Sequence, residues 1–413
     1  MLNNDQQYAK GLMDKGYNVF LTGEAGTGKS YVLNEYIKDC EDKKKQVMVV
    51  APTGIAALNV SGATIHRAFR APIGPIIDKP KQLPKTLLNV DVLICDEISM
   101  CRIDLFDFMI YQVMKAIQYR RNHGKKDIQI IVVGDFFQLP PVLTPKDNEV
   151  LKHIYKNLGK GFAFESKFWK YCGFIKVILR EPMRQSNDSF LSNLNKARIG
   201  DRSCVRYFND NASSFYDDNV LSIVGKNATA EAINTAKVNE LVGPMKTYIA
   251  DVDGQVKDSD KVAPEVIDIK TGARVIMLVN EPSGKYSNGS FGTIRYFNED
   301  YMKIEMDDSG ALCKIEKYTW EILDYTVSNR SLKSKVIGTY KQFPIKIGYA
   351  ITIHKSQGQT YDKVNIDPKC WDCGQLYVAL SRCKSIERLH LLSPIYENYL
   401  VTSDTVKRFY EDN

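Results

Sequence analysis

The segment GEAGTGKS at residues 23–30 has the residue types and spacing that bind a nucleoside triphosphate. It matches the phosphate-binding loop pattern GxxxxGK[ST] at every fixed position. In this pattern backbone N–H groups surround the phosphates, the lysine reaches the β- and γ-phosphates and the hydroxyl holds Mg²⁺. We therefore predict that Lys29 binds the phosphates and that Ser30 is a magnesium ligand. The predicted backbone contacts to ATP fall on Gly23, Ala25, Gly26, Thr27 and Gly28.

The segments on both sides of the loop have the patterns that such a site requires. Asn18 to Thr22 is an apolar run typical of a short buried strand, and Tyr31 to Lys38 has the apolar spacing of one helical face. A strand, a glycine-rich turn and a helix start direct unpaired N–H groups and the helix dipole at an anion. A chance match on a surface loop is the alternative.

Two acidic residues follow a third apolar run, at residues 91–95. An apolar strand that ends in Asp96-Glu97, downstream of a phosphate-binding loop, is the Walker B arrangement. We predict that Asp96 holds the hydrated magnesium ion and that Glu97 orients and deprotonates the attacking water. The alternative is a strand that ends in two exposed acids.

Two glutamines could contact the nucleotide. Gln138 follows a fourth apolar run, at residues 128–133, and is a candidate sensor of the γ-phosphate, unless it only belongs to a turn before a proline break. Gln6 lies before the first strand, and its amide could contact both a donor and an acceptor of adenine. The residues alone favour a solvent-exposed helix face for Gln6.

Polar residues also follow the second apolar run, at residues 47–51, where the ends of parallel strands carry ligands. The turn Thr53-Gly54 offers N–H groups and a hydroxyl to a phosphate. In the segment GATIHRAF at residues 62–69, His66 and Phe69 offer flat faces to nucleic-acid bases. A plain strand-to-helix turn with a core phenylalanine explains the same residues equally well.

Length and composition limit the class of protein. The chain has 413 residues, 44% of them hydrophobic, with a net charge of +7, which predicts two or three globular domains. Nine scattered cysteines indicate a reducing compartment. The polar N-terminus lacks the pattern of a signal peptide, and no apolar run could span a bilayer. We expect a soluble intracellular protein without a membrane partner, cytoplasmic in a bacterium and nuclear or mitochondrial in a eukaryote.

Changes in texture along the chain predict its organisation. The composition shifts near residue 180, which we take as a domain boundary. Residues 271–340 contain short alternating strands between turn clusters, a pattern typical of a small β-barrel, and α/β character resumes afterwards. The proline- and lysine-rich stretch 70–86 predicts a loop or small pin-like insertion. The CxxC at residues 370–373 has no second pair nearby, so structural cysteines are favoured over a metal or redox site.

Motifs extend over nearly the whole chain, in the order GEAGTGKS, APTG, GATIH, LICDE, VVGDFFQLPP, MRQ, AITIHKSQGQT and YVALSR. This set resembles the superfamily-one helicases of the RecD-like, type B branch, and within them the Pif-type DNA helicases. The run EISM at residues 97–100, followed by LFD at 105–107, is similar to the signature segment of that family.

The resemblance implies an α/β fold with two RecA-like domains and ATP in the cleft between them. The first domain would be 1–180, with a wedge-like element at 70–86. The second would combine 181–270 with 341–413, and 271–340 would be an inserted barrel of the Src-homology type.

The resemblance also implies roles for individual residues. It assigns Gln6 to adenine, which the residues alone did not favour, and Gln138 to the γ-phosphate. It assigns Arg184 and Arg382 to the γ-phosphate from the second domain, and we add Gly358 to the nucleotide contacts. Positions that would face single-stranded DNA are Thr53, Gly54, His66, Thr352, His354 and Lys355, to which we add Phe69.

The activity implied by the resemblance is that of an ATP-dependent DNA helicase. Such an enzyme uses ATP and Mg²⁺, moves 5′→3′ on single-stranded DNA and unwinds duplex or forked DNA; relatives also act on G-quadruplexes and RNA–DNA hybrids. The direction of movement comes only from the family. We expect a monomer, with dimerisation on DNA as an alternative. Two other functions remain open: an ATPase that remodels protein, and a single-strand-binding protein that retains an ATPase fold.

Overall fold

The computed structural model describes residues 2–60, 62–72, 74–80, 82–156, 158–181, 188–218, 220–286, 288–307, 309–328 and 331–411. The chain forms two compact units. The first contains Met1–Gln185, Leu323–Lys335 and Ser403–Asn413, and the second contains Ser186–Ile322 and Val336–Thr402. Within the described residues, no helix is long and apolar enough to cross a membrane.

A six-stranded parallel sheet forms the centre of the first unit. Its strands are β1 (Val19–Gly23), β2 (Val47–Ala51), β3 (Ala63–Thr64), β4 (Val92–Cys95), β5 (Gln129–Val133) and β6 (Ile175–Leu179). They lie in the order β3-β2-β4-β5-β1-β6. Alternate side chains enter two separate cores, so Phe20 packs on one face of the sheet and Leu21 on the other. Burial on both faces explains why these strands read as continuous apolar runs.

Helices cover both faces of this sheet. They are α1 (Asn4–Asp14), α2 (Lys29–Asp42), α3 (Gly54–Asn59), α4 (Ile65–Ala68), α5 (Ile103–Asn122), α6 (Pro145–Ile154) and α7 (Lys167–Cys172). The predicted strand–loop–helix order around residues 23–30 is present as β1, the loop and α2. The predicted α/β class therefore holds for the first unit.

The predicted wedge segment, residues 70–86, is anchored to the first unit. Arg102 at the start of α5 donates to the carbonyl of Gly74 (2.6 Å) and to Asp104 (2.6 and 2.8 Å). Asp104 accepts from the N–H of Ile76 (2.8 Å), whose side chain enters the core. The segment is thus irregular at its described positions but partly buried, whereas the sequence predicted no contribution to the core.

The second unit contains a four-stranded parallel sheet. Its strands are β7 (Leu221–Val224), β18 (Ala350–Thr352), β19 (Val364–Ile366) and β20 (Leu389–Leu391), in the order β18-β7-β19-β20. The helices of this unit are α8 (Asp188–Ile199), α9 (Cys204–Asn211), α10 (Asn227–Glu240), α11 (Ile353–Ser356) and α12 (Gln375–Leu380). The α/β segments that form this sheet come before and after a long antiparallel insertion in the sequence, as predicted.

The insertion is larger than the sequence predicted. Its strands are β8 (Lys246–Ile249), β9 (Asp251–Gly254), β10 (Val266–Ile269), β11 (Arg274–Met277), β12 (Phe291–Phe297), β13 (Tyr301–Met306), β14 (Leu312–Glu316), β15 (Tyr318–Ser328), β16 (Ser331–Gln342) and β17 (Ile345–Ile347). They form a five-stranded sheet, β14-β13-β12-β11-β17, a β15-β16-β9 sheet and a β10-β8 pair. The short strands predicted within 271–340 include β11, β12, β13 and β14, which are neighbours in the first of these sheets. The predicted limits, 271–340, left out β8, β9 and β10 before them and β17 after them, and closure into a barrel stays a prediction.

The last helix, α13 (Asp404–Glu411), belongs to the first unit, although the sequence analysis assigned it to the second domain. The ring of Phe409 stacks on Phe164, with centroids 4.2 Å apart, and packs edge-on against Phe136 at 5.5 Å. Val406 is fully buried in the same core. These apolar contacts hold the end of the chain against the first sheet.

We expect Phe409→Ala to destabilise the first unit. A buried phenylalanine costs ~3–5 kcal/mol when truncated, and because Phe409 is only partly buried we expect about 2 kcal/mol. The measurement is the free energy of unfolding in urea. Arg408→Ala, at an exposed position of the same helix, is the control and should change stability by less than about 0.5 kcal/mol. Equal stability of the two variants would show that α13 does not contribute to the fold.

Candidate nucleotide and DNA sites

The phosphate-binding loop follows β1 directly, and two glycines make its path possible. A Cβ on Gly23 would lie 2.4 Å from the carbonyl oxygen of Leu179 on β6, so no side chain fits there. Gly28 has the left-handed conformation (φ +80°, ψ +27°) and immediately precedes α2. Lys29 and Ser30 therefore occupy the first turn of a 14-residue helix, where free N–H groups favour an anion.

Side chains within the first unit hold the loop in shape. The Lys29 ammonium donates to the carbonyl oxygens of Gly23 and Glu24, at 2.9 Å each. Thr27 Oγ1 donates to the carbonyl of Glu24 at 2.9 Å. Gln6 is buried, its Nε2 donates to the carbonyl of Thr27 (3.1 Å), and its Oε1 accepts from the N–H of Asn3 (3.0 Å). In this arrangement Gln6 joins the start of α1 to the phosphate loop, and its assignment to adenine stays a prediction.

Asp96 and Glu97 lie at the end of β4. In the sheet, only β5 separates this strand from β1, which enters the phosphate loop. Burial, and then the negative charge of Glu97, raise the pKa of the Asp96 carboxyl well above its usual range, while the positive charge of Lys29 opposes the shift. Glu97 has left-handed backbone angles (φ +49°, ψ +45°), and its N–H donates to Asp96 Oδ1 at 2.9 Å. Strained backbone at an acidic residue is typical of functional sites. Lys29, Asp96 and Glu97 are thus close enough to interact electrostatically.

Gln138 follows β5, the strand between β4 and β1, and its side chain is buried. Its backbone N–H donates to the carbonyl of Asp135 at 2.9 Å, which closes a tight turn. The sequence analysis missed a residue that supports this turn, Tyr410 of α13. Its hydroxyl lies 2.7 Å from Thr22 Oγ1 and accepts from the N–H of Phe136 at 3.3 Å.

Tyr410 therefore connects the strand that enters the phosphate loop with the turn that carries Gln138. Its ring also stacks on Phe137, with centroids 4.9 Å apart, and Lys176 donates to its carbonyl at 3.0 Å. The signal in the sequence is the apolar spacing of Val406, Phe409 and Tyr410, which indicates a helix with one buried face but not the surface that it covers.

The predicted DNA-facing residues of the first unit lie at the C-terminal ends of β2 and β3. Thr53 Oγ1 accepts from the N–H of Ala56 at 3.3 Å, and Thr64 Oγ1 accepts from the N–H of Arg67 at 3.3 Å. Gly54 begins α3, and His66 is partly exposed in the first turn of α4. Phe69 is only 1% exposed and packs in the core, so its assignment to DNA was wrong: the buried alternative describes it.

The second unit repeats this local structure at the end of β18. Thr352 Oγ1 accepts from the N–H of Lys355 at 3.4 Å, the isoleucine after it is fully buried, and His354 is partly exposed. The sequences ATIH at 63–66 and ITIH at 351–354 thus form the same strand end, threonine cap and short helix. Burial lowers the pKa of His354, and the charge of Asp372 partly offsets this effect.

The nucleotide-site residues predicted in the second unit lie close to this segment. The guanidinium of Arg382 is buried and donates to the carbonyls of Ser356 (3.0 Å) and Gln359 (2.8 Å). Gly358 lies between these two residues, exposed and with φ +76°. Arg184 lies outside the described residues. The roles of Arg184, Arg382 and Gly358 toward ATP stay predictions.

Two other features do not mark the site. Burial raises the pKa of the Cys370 and Cys383 thiols to about 12 each, which makes both poor nucleophiles and poor metal ligands. A cavity of about 1290 Å³ in the first unit is lined by Asn18, Asp91 and Gln129, at the strand starts and therefore at the edge opposite the phosphate loop. Cavity size alone does not locate the chemistry in this molecule.

Comparisons with known proteins agree with this geometry. The family model of the PIF1-like helicases matches residues 1–202. The ATP-dependent DNA helicase Pif1 of Campylobacter jejuni subsp. jejuni is 31% identical over 437 residues, which cover 95% of this chain and 94% of that protein. The crystal structure of Bacteroides sp Pif1 in complex with ADP-AlF4 has a TM-score of 0.86 and 31% identity, with 100% of this chain and 97% of that chain covered. Bacteroides Pif1 bound to ssDNA has a TM-score of 0.72 at 31% identity, with the same coverage.

A phosphate-binding loop and an Asp-Glu pair on a parallel sheet define an ATP-hydrolysing enzyme of the RecA-like class. The extent of the match with the Campylobacter protein decides the family within that class. The chain belongs to the Pif1-like family of ATP-dependent DNA helicases.

We expect Lys29→Ala and Glu97→Gln each to reduce ATP turnover by about 10²–10³ or more. The first removes a charge that acts on the transferring phosphoryl group, and the second removes the base that acts on water. Turnover should be measured at saturating ATP together with thermal unfolding, since Lys29 also bonds the loop. Asn34→Ala, on the exposed face of α2, is the matched control. Near-normal turnover in either site variant would remove that residue from the catalytic assignment.

Proposed function

We propose that this protein moves 5′→3′ along single-stranded DNA and separates duplex strands at the cost of ATP. The observation that carries the proposal is the repeated strand end, Thr64–His66 and Thr352–His354, one in each unit. In both, a capped turn presents a histidine at the carboxyl edge of a parallel sheet, where such folds bind ligands. The ssDNA-bound Bacteroides relative supports DNA as the ligand. The direction rests on the family alone.

The chemistry that we propose uses residues of the first unit. Lys29 and the N–H groups at the start of α2 bind and orient the phosphates, and Glu97 accepts a proton from the attacking water. Gln138 responds to the γ-phosphate. Ser30 and Asp96 supply hard oxygen donors suited to Mg²⁺, and a raised pKa at Asp96 indicates a carboxylate that a nearby cation would stabilise. When bound, that ion neutralises charge on the phosphates.

We further propose that Arg382 couples the nucleotide to the grip on DNA. A triphosphate has more negative charge at its γ end than a diphosphate, so it attracts a guanidinium more strongly. Arg382 bonds the carbonyl of Ser356, the last residue of α11, which begins at the DNA-facing segment. A shift of Arg382 toward phosphate would therefore change the support of that segment. Arg184 has the same proposed role toward the γ-phosphate.

The test is ATP turnover with and without single-stranded DNA, followed by unwinding of duplexes with a 5′ tail, a 3′ tail or a fork. We expect single-stranded DNA to raise turnover and the 5′-tailed and forked duplexes to be unwound. Affinity for the strand should fall about 20- to 50-fold between 50 and 200 mM salt, as for about three to four phosphate contacts.

Each other outcome identifies a different function. ATP turnover that does not change when single-stranded DNA is added would favour an ATPase that remodels protein. Binding of DNA without turnover would favour a single-strand-binding protein, and unwinding of the 3′-tailed duplex alone would reverse the direction.

A cavity beside the second DNA-facing segment extends the proposed path of the strand. It has a volume of about 560 Å³ and is lined by Thr352 and Lys355, by Lys346 of β17 and by residues of α10. Burial, and then the charge of Lys355, lower the pKa of Lys346 to about 8. Glu231 and Asp268 are the acidic residues that line the same cavity. A DNA phosphate in the cavity would favour the charged form of Lys346.

This cavity predicts a pH-dependent affinity for single-stranded DNA. Below pH 8 Lys346 is already protonated in the free protein, so binding takes up no proton there. Above pH 8 the lysine of the free protein is increasingly neutral, and binding a phosphate in the charged form must take up a proton from solvent, so affinity should fall between pH 8 and 9.5. Lys346→Arg stays charged over this range and should reduce the slope at constant ionic strength. Equal slopes in parent and variant would show that Lys346 does not contact the strand.

A further inference from the structure

The parallel sheet of the second unit has a loop with an exposed aromatic residue at its carboxyl edge. The ends of β18 and β7 are paired, Thr352 with Val224, and the end of β19 is paired with β7, Ile366 with Ile223. The chain leaves these three strands at one edge of the sheet. The loop after β19 contains Trp371, within the CxxC sequence that metal or redox chemistry does not explain.

Trp371 is fixed in place but open to solvent. Its side chain is 53% exposed, whereas the other two tryptophans, Trp169 and Trp320, are buried at 8% and 6%. A Cβ on Gly225 would lie 2.4 and 2.6 Å from two carbons of the six-membered ring, so the ring packs directly on the backbone after β7. Gln375 Oε1 accepts from the N–H groups of Trp371 (3.1 Å) and Asp372 (3.3 Å), which ties the loop to α12.

The groups around the Trp371 ring are of the kinds that bind nucleotides. The Lys226 ammonium lies over the Trp371 ring, 5.5 Å from its centre, so a positive charge and an aromatic ring form a cation–π contact. The charge of Asp372, the next residue, acts on His354 of the DNA-facing segment, which places the loop near that segment. Aromatic rings and cations in a groove are how proteins bind single strands without regard to sequence.

We propose that Trp371 stacks on a base of single-stranded DNA and that Lys226 binds a phosphate beside that base. The site rests on the proposed DNA-binding function and adds a base contact to the phosphate contacts already assigned. The stack is sequence-tolerant because every base has a flat face. In the absence of this role, Trp371 only shields Gly225 from water.

Intrinsic fluorescence gives a direct test, because Trp371 is exposed and the other two tryptophans are buried. Unlabelled oligothymidine should quench the fluorescence of the parent protein. Trp371→Phe keeps a ring that can stack, so it should lose the quenching and retain binding, measured by the anisotropy of a dye-labelled oligothymidine. Trp371→Ala should weaken that binding by about 5- to 150-fold, the range for one lost base–aromatic stack. Phe215→Ala removes another exposed aromatic residue of the same unit, before β7, and should bind like the parent.

An abasic oligonucleotide of the same length separates stacking from phosphate binding. The parent should prefer the oligothymidine to the abasic strand, and Trp371→Ala should lose most of that preference while its thermal unfolding is unchanged. A parent that binds oligothymidine without quenching, together with Trp371→Ala that binds equally well, would overturn the stacking site and leave the proposed function intact. A parent that binds no strand at all would overturn the proposed function and the site together.

Discussion

The arrangement of charge around Lys29, Asp96 and Glu97 constrains the rest of the first unit. Two adjacent carboxylates at the end of a buried strand repel each other, and the positive charge of Lys29 opposes the rise in the pKa of Asp96 that burial and Glu97 cause. Lys29 must therefore stay at the mouth of the loop, where two carbonyls hold it. That position requires the chain to leave β1 through a turn that only glycine can make, because Gly23 lies against the carbonyl of Leu179.

Support for this site comes from the far end of the chain. Tyr410 is 388 residues from Thr22, yet their hydroxyl oxygens are within hydrogen-bond distance. The first unit also contains Leu323–Lys335 and Ser403–Asn413 from later in the chain, and α13 in the last of these segments packs on the first core. An ATPase unit cut at residue 185 would lack α13 and would leave Phe136 and Phe164 without the ring of Phe409. The core of the first unit thus includes a segment that follows the second unit in the sequence.

Most of the parallel core could be predicted because its strands are buried on both faces and therefore appear in the sequence as continuous apolar runs. The phosphate loop and the Asp-Glu pair were equally accessible, since their chemistry fixes residue type and spacing. Phe69 was not, because an aromatic residue after a short helix has the same local pattern whether its ring faces solvent or the core. Strand β9 was missed for a related reason: it is exposed at all four residues, so no alternation distinguishes it from a loop. Contacts such as that of Tyr410 depend on which surfaces meet, and local sequence does not contain that information.

The two threonine-capped turns have nearly the same local structure. This similarity has a consequence for how a motor could advance along a strand. Two identical contacts to a strand give no basis for one to hold while the other releases. The turn in the first unit leads into Phe69, whose carbonyl accepts from Gln112 of α5 at 3.1 Å, so it is backed by the core of its own unit. The turn in the second unit is supported by Arg382, whose guanidinium donates to the carbonyl of Ser356 at 3.0 Å and which we propose responds to the γ-phosphate. In a motor built from these two turns, the asymmetry would come from what supports each turn. The first turn is held by the core of its own unit, and the second by Arg382, which we propose that ATP attracts.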